Sequence, residues 1–89
     1  MNDRYLEVTF QKGKPLAAYL YLPRPGGAKS ARTERAPAGL LVDYSSDGRP
    51  IGIEITAPSL ATAEQLNALL GELGLPPVAS EELAPLRAA

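Results

Sequence analysis

At 89 residues and without cysteine, the chain is sized for one small domain that neither disulfides nor thiolate metal sites can support. Its 9 Lys and Arg against 10 Asp and Glu give a net charge of −1, which is not the electrostatic footprint of a nucleic-acid binder. The absence of histidine removes Ser-His-Asp triads, Cys-His dyads and imidazole metal sites.

The opening, MNDRYLEVTF, lacks the basic region and apolar core of a signal peptide, and no apolar run is long enough to span a bilayer. A cytoplasmic protein without a membrane segment is expected. Residues 4–12 alternate, with Leu6, Val8 and Phe10 on one face and Tyr5, Glu7 and Thr9 on the other, which predicts a strand. Lys12 to Pro15 reads as a turn. In residues 16–22, Leu16, Ala18, Leu20 and Leu22 share one face and Ala17, Tyr19 and Tyr21 the other. A strand apolar on both faces is either central and covered twice or sits at an interface. PRPGG, residues 23–27, breaks it, and residues 28–39 are polar and basic, with a short strand at Ala31 to Arg35.

LLVDYSSDGRPIGIEI, Leu40 to Ile55, is the best-patterned stretch. Asp47-Gly48 signals a hairpin, since tight hairpin turns need a positive φ. A two-residue loop sets Val42 opposite Ile53, and a four-residue loop sets it opposite Ile51. Either way Leu40, Val42, Tyr44, Ile51, Ile53 and Ile55 point inward, and Leu41, Asp43, Gly52 and Glu54 point to the other side. The period then changes. Leu66, Leu69, Leu70 and Leu73 stand at i, i+3, i+4 and i+7, an amphipathic helix over about 60–73. Thr62 with Gln65 has capping-box spacing, Ser59 is a rival cap, and Gly74 with Pro76-Pro77 stops the helix. SEELAPL predicts a helical turn over about 80–86, with Ser80 as cap and Glu81 and Glu82 at its positive end. The expected fold is α+β: one domain over 1–89, an antiparallel sheet of four or five strands within 4–56, and one helix on a sheet face.

Three groups carry candidate chemistry. Asp43 and Glu54 lie on one face of one hairpin, where paired carboxylates can share acid and base roles or hold a hard cation. Alternation alone also predicts polar residues there, so they read first as a solvated face. Arg24, Lys29, Arg32 and Arg35 are the one local surplus of positive charge and a candidate nucleic-acid contact. Glu34 interrupts them and no aromatic is interleaved, so charges guarding an edge strand explain them as well. Tyr19 and Tyr21, with Ala17 and with Tyr5 beside them, form either a partner interface or packing beneath the helix. No catalytic, cofactor or metal residue is assigned.

LVDYSSDGRPIGIEI resembles the signature of the YuzE-like family, small bacterial and archaeal domains whose run is similar to v-D-Y-d-x-D-G-r-v-v-G-I-E-I. Val42, Asp43, Tyr44, Asp47, Gly48, Arg49, Gly52, Ile53, Glu54 and Ile55 match it. AAYLYL resembles the family's earlier A-L-Y-I strand, and the tail resembles the helical extension of longer relatives. The acidic residues that the family often carries around its first turn are absent, with Phe10, Gln11 and Ala17 near those places. The resemblance implies a module without a known reaction and, for some relatives, an antitoxin-like role beside a small ribonuclease-type toxin. The doubly apolar second strand and the thin core of so short a chain lead to the expectation of a homodimer.

Overall fold

The computed structural model describes residues 4–23, 29–58 and 63–84, apart from the side chains of Pro15 and Ser80. Five strands form one antiparallel sheet: β1 (Tyr5–Gln11), β2 (Lys14–Tyr21), β3 (Ser30–Ala36), β4 (Leu40–Ser45) and β5 (Pro50–Ile55). A helix, α1 (Ala63–Glu72), and a 3-10 turn at Ser80–Leu83 follow, completing an α+β fold. No helix among the described residues is long and apolar enough to cross a membrane.

The spatial order is β1-β2-β5-β4-β3. Three hairpins follow from local turns, but β2 joins β5 across the whole β3–β4 hairpin, with Leu20 opposite Ile53 and Tyr21 opposite Gly52. β5 is thus central and β2 is interior to the sheet, and the helix-side cluster takes only the Ala18–Leu20 face of β2, leaving the face of Ala17, Tyr19 and Tyr21 outside it. The segment expected around Ala31 to Arg35 is a full strand at one edge, exposed at every position from Ser30 to Arg35.

One face of the sheet holds the core. Ala18, Leu20 and Leu22 of the second hairpin arm meet Leu40, Val42, Ile53 and Ile55, and Leu66, Leu69 and Leu70 of α1 close over them with Val78 and Leu83. Burying each large aliphatic side chain contributes about 1.5–3 kcal/mol before entropy is subtracted. α1 ends in a Schellman motif: Gly74 has φ 74°, and Leu75 N donates to Leu70 O at 2.8 Å while Gly74 N donates to Gly71 O at 3.1 Å. Both expected caps, Ser59 and Thr62, lie outside the described residues.

The tail after α1 is pinned by two polar side chains. Asn67 on α1 accepts from Val78 N at 2.7 Å. Arg4, just before β1, donates to Pro76 O and Pro77 O at 2.5 Å each and to both carboxylate oxygens of Glu82 at 3.0 and 3.2 Å. Glu82 Oε1 also accepts from Ala79 N at 3.0 Å, so it caps its own turn from the third position. The Arg4 guanidinium and the Ala79 amide hold the Glu82 carboxyl below its usual range.

Two hairpins depart from the simple alternation. In β1–β2 the register slips after Thr9, which pairs with Ala17, while Phe10 pairs with Pro15. Leu16 is the extra residue of a bulge and is 54% exposed rather than inward-facing, with Phe10 beside it 46% exposed. In β4–β5 neither loop length considered from sequence is realised. Ser45 N donates to Arg49 O and Gly48, at φ 84°, closes a three-residue loop. A bulge at Ile51 then brings Val42 opposite Ile53. Ile51 is buried all the same.

Candidate interaction face

The opposite face of the sheet carries the residues singled out from sequence. Register sets them in two rows. One runs Tyr5, Tyr21, Gly52, Asp43, Thr33 across the five strands, and the next runs Glu7, Tyr19, Glu54, Leu41, Arg35. Alternation puts these residues away from the side where Ala18, Leu20, Val42 and Ile53 meet α1. The tyrosines therefore do not pack beneath the helix.

The rows are tied by side chains. Tyr5 and Tyr21 stack with ring centroids 4.5 Å apart, and Tyr19 meets Tyr21 edge-on at 4.7 Å. Tyr21 Oη donates to Glu7 Oε1 at 3.2 Å. Tyr19 leans out of its own row and crosses β5, where its Oη donates to Asp43 Oδ2 at 2.7 Å. This crossing needs Gly52: a Cβ placed there would lie 1.9 Å from the Tyr19 hydroxyl oxygen. From the far side Thr33 Oγ1 donates to Asp43 Oδ1 at 2.5 Å. A polar bridge thus spans β2, β5, β4 and β3 on the face without the helix.

Asp43 and Glu54, expected on one face, do share it but are not paired. Asp43 stands opposite Gly52 and Glu54 opposite Leu41. Both oxygens of Asp43 are engaged by Tyr19 and Thr33. Glu54 instead lines a shallow depression with Glu7, Thr9, Ala17 and Tyr19. No group of His, Cys, Asp or Glu among the described residues has the arrangement to hold a metal ion.

Among the described residues, the basic segment does not form one patch. Arg24 lies outside the described residues, and Lys29 is exposed just before β3. Arg32 and Arg35 are three apart on a strand, so they point to opposite faces. Arg32 lies over the Tyr44 ring at 4.2 Å and pairs with Glu34 at 2.7 Å. Arg35 joins Leu41 at the end of the tyrosine-side row.

The matched hairpin motif has structural work at most positions. Asp47 Oδ1 accepts from the Ser45 hydroxyl and from Arg49 N, and these bonds with the Arg49 charge hold the Asp47 carboxyl below its usual range. Gly48 supplies the positive φ, Gly52 the gap for Tyr19, and Asp43 the bridge to β3. Sequence reasoning missed Thr33, Arg4 and the meaning of Gly52. Gly52 takes its meaning from the pairing of β2 with β5, Thr33 from standing opposite Asp43 in the β3–β4 pair, and Arg4 from the return of the tail to β1. Comparison with family models, curated proteins and solved structures finds no match to the chain.

Proposed function

We propose that this chain is a non-enzymatic protein-interaction module that receives a partner protein on its tyrosine face. One observation carries the reading: three tyrosines, with Tyr5 and Tyr19 each against Tyr21, on the sheet face that α1 does not cover. Rigid aromatic side chains supply contact area at low entropic cost, and tyrosine is enriched where binding energy concentrates. Tyr5 is 47% exposed, and Ala17, Leu41 and Glu54 complete a mixed apolar and acidic surface around the set.

The residue types support a binding role over a catalytic one. Histidine and cysteine are absent from the sequence, and the carboxylate of Asp43 is held by its sheet neighbours. The YuzE-like resemblance of residues 40–55 suggests the class of partner, a small ribonuclease-type toxin held by an antitoxin-like protein. The nucleic-acid reading of the 24–35 segment has less support, because Arg32 and Arg35 diverge.

The test is a tagged pull-down from the native cells in mild salt with nuclease, beside the Tyr5→Ala/Tyr21→Ala double variant. The expected result is one stoichiometric protein, identified by mass spectrometry, that the variant loses while its melting temperature stays within a few degrees. Equal capture by both forms, or capture of nothing but the chain itself, defeats the proposal.

A further inference from the structure

β3 is an edge of the sheet, so one side of its backbone is unpaired by the sheet. The phase of that side follows from β4. Ser45 N donates to Arg49 O, and Thr56 N donates to Gly39 O, so the odd-numbered backbone groups of this stretch point toward β5. Leu40, Val42 and Tyr44 therefore point toward β3, where they stand opposite Ala36, Glu34 and Arg32. The backbone N–H and C=O of Thr33 and Arg35 are left aimed at the open side.

A second β3 arriving antiparallel across a two-fold axis must set outward groups against outward groups. The axis must then pass through a residue and not between two. An axis at Arg32, Glu34 or Arg35 puts a charge against its own copy, which destabilises a ladder. An axis at Thr33 puts Thr33 opposite Thr33 and Arg32 opposite Glu34 on both sides. The two Thr33 residues then form a hydrogen-bonded pair. The Arg32–Glu34 pairs fall at the non-hydrogen-bonded positions, where side chains approach most closely. Arg32 and Glu34 already lie on one face, joined at 2.7 Å and about half exposed, so they can re-pair with little rearrangement. The other edge offers no such match, since between Tyr5 and Gln11 the only charged residue is Glu7.

We propose that β3 is a self-association edge, and that a second copy of this chain joins it antiparallel about Thr33 with reciprocal Arg32–Glu34 pairs. The axis is normal to the sheet, so ten strands become continuous and the two tyrosine faces lie on the same side. The register irregularity between Ser30 and Arg32 limits the regular ladder to its central residues. The interface is accordingly small and the dimer weak.

Sedimentation equilibrium over a concentration series tests this with four forms: wild type, Arg32→Glu, Glu34→Arg and the double swap. Wild type is expected to dimerise, and each single change, setting like charges face to face, to weaken the dimer about tenfold. The double swap restores self-association. A mixture of the two single variants forms a heterodimer, because each acid again meets a base. Far-UV circular dichroism confirms that all four are folded, which the exposure of both side chains favours. A monomeric wild type at several hundred micromolar overturns the proposal. So do a dimer indifferent to the single changes and single changes that the mixture does not rescue.

Discussion

The two faces of this sheet are held together by different physics. On the helix side, aliphatic side chains from three strands, α1 and the tail exclude water, with Asn67 and Arg4 pinning the tail at the margin. On the other side, contacts run through directed bonds: Tyr21 to Glu7, Tyr19 to Asp43, Thr33 to Asp43. The first face supplies most of the stability. The second is specific to this strand order, because the Tyr19–Asp43 bridge forms only when β5, with glycine at position 52, lies between β2 and β4. That division leaves the tyrosine face outside the aliphatic cluster that α1 closes.

The contrast can be broken most severely from the helix side. Leu70 is fully buried, and Leu70→Ala is expected to cost about 2–5 kcal/mol, enough to unfold much of the population at 37 °C, read by chemical denaturation. A smaller loss is expected on the other face from Gly52→Ala, about 1–3 kcal/mol, because the new methyl group displaces the Tyr19 ring. Adding Tyr19→Ala to that variant should recover part of the loss. If the double variant is less stable than the sum of the two single changes predicts, Tyr19 does not occupy the space above Gly52.

The clasp between the tail and β1 comes next. Arg4→Ala strands the carbonyls of Pro76 and Pro77 and frees Glu82, an expected loss of about 1–2 kcal/mol in the same denaturation assay. It also has a pH signature. The carboxyl of Glu82 is held below its usual range by Arg4 and Ala79. Its contribution is therefore complete above the unfolded-state pKa and is lost as the pH falls through the lower folded value. Thermal melts from pH 7 to 3 should show wild-type stability declining below about pH 4, with a shallower decline in Glu82→Gln. The smallest effect has the opposite sign. Lys12 sits at φ 53° in the β1–β2 turn, where asparagine is preferred, so Lys12→Asn should raise stability by about 0.5 kcal/mol, seen as a small increase in melting temperature.

Several elements are legible in the chain itself. The alternation of Leu40 to Ile55 predicts β4 and β5 and their inward residues, and the leucine spacing from Leu66 predicts α1. Leu16 marks where alternation stops being enough. It continues a regular pattern, yet the bulge on β2 turns it to solvent, because a bulge is a property of two strands and not of one. The β4–β5 loop length escapes for the same reason. The candidate tyrosines stand out by type and face, while the choice between interface and packing beneath the helix depends on which face α1 covers.

The sequence by itself determined the periods, the turns and the stops: strand alternation, the positive φ at Gly48, the Schellman end at Gly74 and the absence of histidine and cysteine. These depend on neighbours a few residues apart, whose geometry the backbone dictates. Only the tertiary structure decided that β5 inserts between β2 and β4, that Tyr19 crosses Gly52 to reach Asp43, and that Arg4 holds a tail more than seventy residues away. Those contacts join distant segments whose chance of meeting is set by chain closure and by the whole core, so no local pattern records them.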